Sequence, residues 1–371
     1  MLLNLKTKIA MKKILFFFIM LSSITSMAQT LKCITHENKP PIIFSKKTND
    51  SLKQTNAINM PYTVKIYVTI FADNGGSNKA TTNEHVLRQI QNMANQYQSQ
   101  NICFLLVGIR QINNTDLNDH NVSDSTENTE LTPYMVNGFL NIFVHKYLPG
   151  YHGYAYAIPN TYLSVTGNII ESTDVTGILG HEMGHCLGLY HTFSSWVEKN
   201  GTVHKENVAR SGDCKNCEIE GDVLCDTPAD DNGGVDASCI YTGTAKDACN
   251  TSYSPLTNNL MAYGDYRCIT TLTNGQGERM RTFLATNSAL NAFLVHDALY
   301  TPVFGNTTIS SGTGHTLARE AVYISEGSAN LTVNGTARQY YQAKKVSVKS
   351  GTKFSPASGG LVSVKSNPYC N

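Results

Sequence analysis

An eleven-residue segment of this 371-residue chain has the residue types and spacing of a metal site. Residues 181–191 read HEMGHCLGLYH. On a helix, His181 and His185 lie about one turn apart and project from the same face. Gly188 can adopt a left-handed conformation, which ends the helix and lets His191 return as a third ligand. Three imidazoles with one position left open are typical of catalytic zinc rather than structural zinc, so the segment predicts a catalytic zinc site.

Glu182 follows the first predicted ligand directly. From there its carboxylate can reach a water at the metal without binding the metal itself. A metal at such a site activates water and polarises a carbonyl group, while a neighbouring carboxylate takes the proton of the water and then delivers it to the leaving group. We therefore predict hydrolysis with Glu182 as general base and acid.

Composition narrows the classes of partner. The chain has 29 basic and 28 acidic residues and a formal net charge of +1, without the basic stripe expected of a nucleic-acid-binding protein. Beyond the N-terminus no segment approaches the length of a membrane span. We predict neither a nucleic-acid partner nor a membrane span, and the composition leaves the oligomeric state open.

The N-terminus has the three parts of a secretory signal peptide. Lys12 and Lys13 precede the apolar run Ile14–Met20, and Ser26–Ala28 resembles a cleavage site, so residues 1–28 are predicted to be removed on export. Residues 29–60 are polar and lack periodicity, which favours a pro-segment or an irregular extension. The sequence therefore predicts a secreted protein.

Ten cysteines in an exported chain indicate disulfide bonds rather than free thiols, although the sequence does not give their connectivity. Cys214 and Cys217 form a C-x-x-C pair, but the second pair of a structural zinc site is missing, so disulfides are favoured there too. Cys33 could cap the zinc as a latency switch. The residues around it (LKCIT) match no recognisable switch motif, so a disulfide is the favoured interpretation for Cys33 as well.

Hydrophobic periodicity predicts an α/β arrangement with a long active-site helix. Near the start of that helix, Asp174 is a plausible cap. The predicted elements are strands at Tyr62–Phe71, Ile102–Ile109, Phe139–Val144 and Tyr154–Ile158, and helices at Thr81–Tyr97, from near Thr176 through the zinc motif, and at Gly275–Leu284.

The composition changes after this region. Residues 301–316 are rich in Gly, Ser and Thr, which predicts a linker, and the short alternating segments beyond it predict a small all-β module. We place a catalytic domain at 61–299 and the linker with its module at 300–371. The segments Val346–Ser350 and Val362–Ser366 are both VSVKS, for which a β-hairpin is a simpler interpretation than a repeat. A surface-binding and a stabilising role of the module both remain open.

Four stretches resemble the pappalysin family of metzincin zinc proteases, over roughly residues 60 to 290. They are 181–193 (HEMGHCLGLYHTF), 221–228 (GDVLCDTP), 259–263 (NLMAY) and 273–280 (TNGQGERM). The resemblance implies a secreted bacterial zinc endopeptidase that acts on proteins or peptides. It also implies a metzincin-like α/β (α+β) domain with a twisted mixed sheet, an active-site helix and an irregular, Cys-rich lower subdomain.

The resemblance also implies roles for particular residues. Met261 is expected to form a hydrophobic floor under the zinc site, and Tyr263 to face the metal and stabilise the oxyanion. Calcium is expected after the zinc helix, with Asp222, Asp226 and Thr227 as candidate ligands; a capped, hydrogen-bonded turn is the alternative there. Cys186 stands where the family commonly has a large aromatic or apolar residue, so we expect it to pack as a small hydrophobic residue.

Two other functions remain as alternatives. One is an exported binding protein or adhesin with a vestigial zinc-protease fold, and the other is a zinc hydrolase of non-peptide substrates. The presence of every catalytic element, Glu182 included, favours the protease over the binding protein. The methionine turn and the pappalysin-like stretches favour it over the non-peptide hydrolase.

Overall fold

The structure is a computed structural model that describes residues 33, 35, 60–122, 127–301, 306–325 and 330–370. The predicted signal peptide and almost all of the predicted pro-segment lie outside the described residues. The helices are α1 (Asn83–Gln98), α2 (Thr115–Asn118), α3 (Glu127–Glu130), α4 (Gly167–Glu171), α5 (Ile178–Cys186), α6 (Asn274–Thr286) and α7 (Ser288–Asn291), with a 3-10 helix at Thr132–Tyr134.

The strands of the first 205 residues are β1 (Tyr62–Ala72), β2 (Ile102–Asn113), β3 (Leu140–His145), β4 (Gly153–Tyr154), β5 (Tyr162–Thr166), β6 (Ser195–Val197) and β7 (Val203–Lys205). Those that follow are β8 (Leu299–Tyr300), β9 (Thr307–Ile309), β10 (Thr313–Leu317), β11 (Ala321–Ile324), β12 (Leu331–Gly335), β13 (Arg338–Ala343), β14 (Lys345–Val348), β15 (Thr352–Pro356) and β16 (Leu361–Ser366).

A five-stranded sheet in the order β2-β1-β3-β5-β4 carries the active-site region. All its neighbours are parallel except β4, which runs antiparallel to β5 at one edge. Strand side chains alternate between faces, and the fully buried residues of β1 that belong to the main core are Val64, Ile66, Val68 and Ile70. The mixed sheet confirms the predicted fold class.

Helix α1 packs against the active-site helix α5. Thr82 caps α1 by accepting a hydrogen bond from the His85 amide, at 3.3 Å. The Tyr97 hydroxyl donates to the Gly180 carbonyl of α5 at 2.6 Å. A side chain at Gly180 would lie 2.2 Å from Gln96 Oε1, so glycine is what allows the two helices to approach this closely.

The structure corrects three predicted elements. The strand predicted at Tyr154–Ile158 is only Gly153–Tyr154, and the buried strand Tyr162–Thr166 was missed because Ser164 and Thr166 interrupt its apolar run. The active-site helix has nine residues and begins at Ile178 after Gly177, so Asp174 does not cap it. The Gly177 amide instead donates to the Tyr266 carbonyl at 2.8 Å, which fixes the chain just before the helix.

Disulfides stabilise the irregular, Cys-rich region after α5, as predicted. Two of the bonds also show that the C-x-x-C cysteines have separate partners, which removes the structural-zinc alternative. The bonds of this region are Cys214–Cys249, Cys217–Cys225 and Cys239–Cys268, and the fourth bond, Cys103–Cys370, lies outside it.

Cys33 and Cys186 are buried, and neither belongs to a disulfide. The predicted disulfide of Cys33 is therefore wrong. Cys186 belongs to the main core, and its thiol donates to the Tyr162 carbonyl at 3.2 Å, as expected of a small packing residue.

The C-terminal module is a parallel β-solenoid. Strands pair in three sheets, β8-β11-β14, β9-β12-β15 and β10-β13-β16, and every pair is parallel. The chain therefore visits each sheet once per coil and completes three coils. Its interior contains the apolar residues Val322, Ile324, Leu331, Val333 and Tyr341.

This topology overturns the hairpin interpretation of the two VSVKS segments. Val346 of β14 pairs with Val322, and Val362 of β16 pairs with Gln339, so the two segments lie in different sheets. Strands β9 and β10 also occupy much of the segment predicted as a linker.

The solenoid is attached to the sheet at its edge strand β2. Gln342 Nε2 donates to the Leu106 carbonyl and Asn367 Nδ2 to the Phe104 carbonyl, both at 3.0 Å. The disulfide Cys103–Cys370 links the same strand to the end of the solenoid. An uncovered edge strand is a hazard for aggregation, and the solenoid covers this one.

Candidate active site

Three histidine rings converge on one point beside helix α5. The Nε2 atoms of His181 and His191 are 3.1 Å apart, and Nε2 of His185 lies 3.2 Å from each of them. His181 and His185 come from successive turns of α5, and His191 comes from the loop after it. All three side chains are buried. The structure thus brings together the three residues that the motif singles out.

Backbone carbonyls orient two of these rings. His181 Nδ1 donates to the Leu260 carbonyl at 2.7 Å, and His185 Nδ1 donates to the Leu189 carbonyl at 2.8 Å. With the proton on Nδ1, each neutral ring points an Nε2 lone pair at the common centre. Burial, together with His185 and His191, holds the pKa of His181 well below its usual value, so this ring stays neutral.

This arrangement fits zinc. Tetrahedral coordination with Zn–N distances of about 2.0–2.1 Å places neighbouring nitrogens about 3.3 Å apart, close to the observed spacing. Lone pairs turned toward one another at this distance repel unless a cation lies between them. The donor set is therefore one that a zinc ion would satisfy.

Two glycines and Met261 shape the floor of the site. Gly188 has φ of +98°, which turns the chain after α5, and a side chain there would also overlap the Phe283 ring. Met261 is fully buried, and its Sδ would lie 2.5 Å from a Cβ at Gly184. Met261 thus packs directly beneath the helix that carries the first two histidines, where the methionine turn was expected.

Glu182 is fully buried on the same helix. The Cys33 thiol donates to its Oε2 at 3.3 Å, and the Ala155 amide also bonds this carboxyl group. Burial raises the pKa of Glu182 to about 8, and the two hydrogen bonds oppose that rise only in part.

Cys33 lies in the middle of this site. Its Sγ and the ligand nitrogens of His181, His185 and His191 all fall within 4.8 Å of one another. The Tyr263 hydroxyl donates to the Cys33 carbonyl at 2.7 Å, and the Tyr263 ring centre lies 4.9 Å from that of His191. Cys33 also forms an isolated parallel bridge with Gly153 of β4. The weak match around Cys33 concealed this position, which only the tertiary structure shows.

The residues predicted to hold calcium divide into two kinds. Asp226 is exposed and accepts a hydrogen bond from the Gly275 amide at the start of α6, at 2.6 Å. Asp222 and Thr227 are buried, and Asp222 Oδ1 accepts from the Leu224 amide at 2.9 Å. These bonds of Asp222 and Asp226 are those of the capped turn that was the alternative.

Glu206 is a further acidic group in this region that the sequence motifs did not indicate. It is buried, and burial and the neighbouring Asp222 raise its pKa to about 9. Burial raises the pKa of Asp222 to about 7. Oε2 of Glu206 and Oδ2 of Asp222 are buried without a hydrogen-bond partner. Two such oxygens are the kind of ligand that a hard cation prefers.

A family model and several known proteins match the part of the chain that contains these residues. Residues 155–285 match the family model described as Peptidase_M43, pregnancy-associated plasma protein-A. The matched segment includes helix α5, the three histidines, Met261 and Tyr263. An extracellular metalloprotease of Colletotrichum graminicola is 26% identical over 243 residues, covering 60% of this chain and 77% of that protein.

Residues 155–285 are thus similar to the zinc metallopeptidase domain of the pappalysin family. A second extracellular metalloprotease, from Arthroderma gypseum, is 30% identical over 118 residues, which is 32% of this chain. That alignment spans only 33% of the Arthroderma gypseum protein. Both relatives are fungal, so the bacterial origin stays a prediction.

Among solved structures, mature mirolysin of Tannerella forsythia in complex with a cleaved peptide is similar to part of this chain. Its TM-score is 0.46 with 18% identity, covering 63% of this chain and 96% of that one. Within the described part of the chain, no helix has the length and apolar character needed to cross a membrane.

Proposed function

We propose that this chain is a secreted endopeptidase that cleaves peptide bonds in proteins at the site formed by His181, His185, His191, Glu182 and Tyr263. The observation that carries the proposal is the convergence of three Nε2 atoms within 3.2 Å of one another beside a buried glutamate. The extracellular metalloproteases among its relatives and the four disulfides support export.

The three histidines would hold zinc. Zinc bound there supplies a Lewis acid for the scissile carbonyl and lowers the pKa of the attacking water. The backbone carbonyls behind His181 and His185 keep both rings in the tautomer that such binding needs. The buried position of all three rings restricts the access of bulk water.

Glu182 moves the proton in this mechanism. Its carboxylate takes a proton from the attacking water and then gives it to the amine that leaves. The Cys33 thiol, which donates to Glu182 Oε2 at 3.3 Å, shows that a donor on this side of the histidines can reach the carboxylate. The Ala155 amide holds the carboxyl group in position while the proton is transferred.

Tyr263 stabilises the charge that develops on the substrate. Its hydroxyl already donates to a peptide carbonyl, that of Cys33, at 2.7 Å and beside the histidines. A scissile carbonyl in the same place would receive the same hydrogen bond. Donors that point at a developing oxyanion each account for a large part of the rate in related chemistry.

Cys33 keeps the full-length chain latent. It lies against Glu182 and the histidines, and Tyr263 is engaged by its carbonyl, so a substrate cannot occupy the site while this segment is in place. Removal of the segment by proteolysis would open the site, and Cys33→Ala would weaken the block because it removes the thiol contact with Glu182. The unprocessed Cys33→Ala chain should cleave an unfolded protein faster than the unprocessed parent, and equal rates would exclude this latency.

A calcium ion bound by Asp222 and Thr227 remains a proposal for the region after the zinc helix. The buried oxygens of Asp222 and Glu206 support a cation there, whereas Asp226 is engaged at the start of α6. Calcium should raise the thermal midpoint of the parent protein and leave that of Asp222→Asn unchanged. An equal response of both proteins would remove Asp222 from the ligand set.

The proposed function is tested with the processed chain, from which the segment that contains Cys33 has been removed. Its substrates are an unfolded protein and a set of small amides. We expect cleavage of the protein, loss of cleavage in a chelator and recovery with zinc. Turnover of small amides alone would favour the non-peptide hydrolase. Stable binding of proteins without any turnover would favour the vestigial binding protein.

A further inference from the structure

The short edge strand β4 makes unusually close contact with Glu182. A Cβ built on Gly153 would lie 2.8 Å from Glu182 Cγ, 2.9 Å from Glu182 Oε1 and 3.1 Å from the Ser164 carbonyl oxygen, so the two closest contacts are with Glu182. Real Cβ atoms essentially never approach other heavy atoms to under 3.0 Å. The absence of a side chain at Gly153 therefore forms the slot in which the carboxyl group of Glu182 lies.

Burial and a hydrogen bond hold the carboxyl group of Glu182 in this slot. It is fully buried on α5, and its neighbour His181 is held at Nδ1 by the Leu260 carbonyl. The Ala155 amide, two residues beyond Gly153, bonds the carboxyl group from the same segment. A methyl group at Gly153 would push the carboxyl group away from this donor and from the position of the attacking water.

Strand β4 itself is fixed from behind. Gly153 is paired with Val165 and Tyr154 with Ser164 of β5, so the strand belongs to the sheet. The Tyr154 hydroxyl and His120 Nε2 are hydrogen-bonded at 2.9 Å in the buried region on the other side. Because the strand is held on both sides, the side chain of Glu182 is the part that would move.

We infer that Gly153 is a positioning residue for Glu182, in that its lack of a side chain sets where the carboxyl group lies. This inference rests on the proposed function, since the carboxyl group matters to the rate only if Glu182 moves the proton. Misplacement of a reacting group by about 1 Å costs about 10²-fold in rate. The substitution leaves the three histidines themselves unaltered.

The kinetic test uses the processed protein with a peptide substrate. We expect Gly153→Ala to lower kcat by about 10²-fold, with KM within about twofold and zinc content equal to that of the parent. The matched control is Gly75→Ala, because a Cβ at Gly75 meets nothing within 4 Å. An unchanged kcat in Gly153→Ala, or a loss confined to KM, would overturn the inference.

A stability test on the full chain needs no activity. Thermal midpoints are measured for the parent, Gly153→Ala, Glu182→Ala and the double variant. Gly153→Ala should lower the midpoint by several degrees in the parent and by clearly less in Glu182→Ala, where the two closest atoms are absent and only the 3.1 Å contact with the Ser164 carbonyl oxygen remains. Equal losses in both backgrounds would show that Gly153 does not act through Glu182 and would overturn the inference.

The two tests separate this inference from the proposed function. An inactive parent that still shows the Gly153–Glu182 coupling would refute the proposed function, and with it the positioning role, while the contact stands. An active parent without the coupling would refute only the role of Gly153.

Discussion

Acidification should weaken the contribution of a buried pair of histidines to the stability of this protein. His120 and His145 are fully buried, and their rings stack with centres 4.7 Å apart. Burial lowers the pKa of His120 to about 4 and, together with His120, holds the pKa of His145 well below its usual value. Between pH 6.5 and 4 the unfolded chain therefore binds a proton that the folded chain does not bind at His120.

This difference in proton binding sets how the unfolding free energy changes with pH. Stability from the neutral His120 is fully present above its unfolded pKa of about 6.5 and is lost as the pH falls toward 4. A shift of about 2.5 pKa units corresponds to about 3 kcal/mol of unfolding free energy. Glu206 and Asp222 act in the opposite direction, because their raised pKa values make protonation favour the folded chain.

The assay is urea unfolding followed by circular dichroism at several values between pH 7 and 4.5, with chelator present so that zinc loss does not contribute. The matched variant is His120→Gln, which keeps a polar side chain near the Tyr154 hydroxyl but does not titrate. The difference in unfolding free energy between the parent and the variant should move against the parent by up to about 3 kcal/mol as the pH falls, because both proteins share every other titrating group. Parallel curves for the two proteins would refute the assignment to His120.

Three further predictions concern stability and metal. Replacing Cys103 and Cys370 by Ser should lower the unfolding free energy by about 2–5 kcal/mol in urea titrations, because their disulfide closes a loop of 267 residues; an unchanged midpoint would show that the solenoid needs no covalent link. Gly184→Ala should cost about 1–3 kcal/mol through overlap with Met261 Sδ, and Met261→Ala should relieve most of that cost, whereas additive losses would exclude this overlap. Chelation should lower the thermal midpoint and added zinc should restore it, and a midpoint that ignores zinc would contradict a site formed by the three histidines.

The convergence of the three histidines could be predicted from sequence because their relation is local. His181 and His185 are one helical turn apart, and Gly188 needs only a left-handed backbone to return His191. Met261 was placed by a family resemblance rather than by physics, since nothing local shows that it packs beneath Gly184. Helix periodicity likewise predicted α1 to within two residues at its start.

The position of Cys33 in the active site could not be predicted from the sequence. Its contact with Glu182 spans 149 residues, and no pattern around Cys33 records it. A cysteine in an exported chain is usually disulfide-bonded. That general expectation was favoured over the alternative that Cys33 caps the zinc site. Gly153 was hidden for a similar reason, because the lack of a side chain gives no signal until the neighbour is known.

The C-terminal module shows a different kind of ambiguity. Alternating residues in Val362–Ser366 fit a hairpin strand and a solenoid strand equally well. The partner decides, and the partner of Val362 is Gln339, one coil earlier in the chain. The all-β prediction for this module agrees with its strands, whereas its parallel topology needed the tertiary structure.

The most direct test of the account is cleavage-site profiling of a complex peptide library with the processed protein, beside Glu182→Ala of equal zinc content. We expect new peptide N-termini with the parent and almost none with the variant, because the histidines still hold zinc while the proton acceptor is gone. Cleavage by Glu182→Ala at the parental rate would contradict the mechanism. The absence of new N-termini with either protein, with zinc bound and the Cys33 segment removed, would contradict the assignment as an endopeptidase.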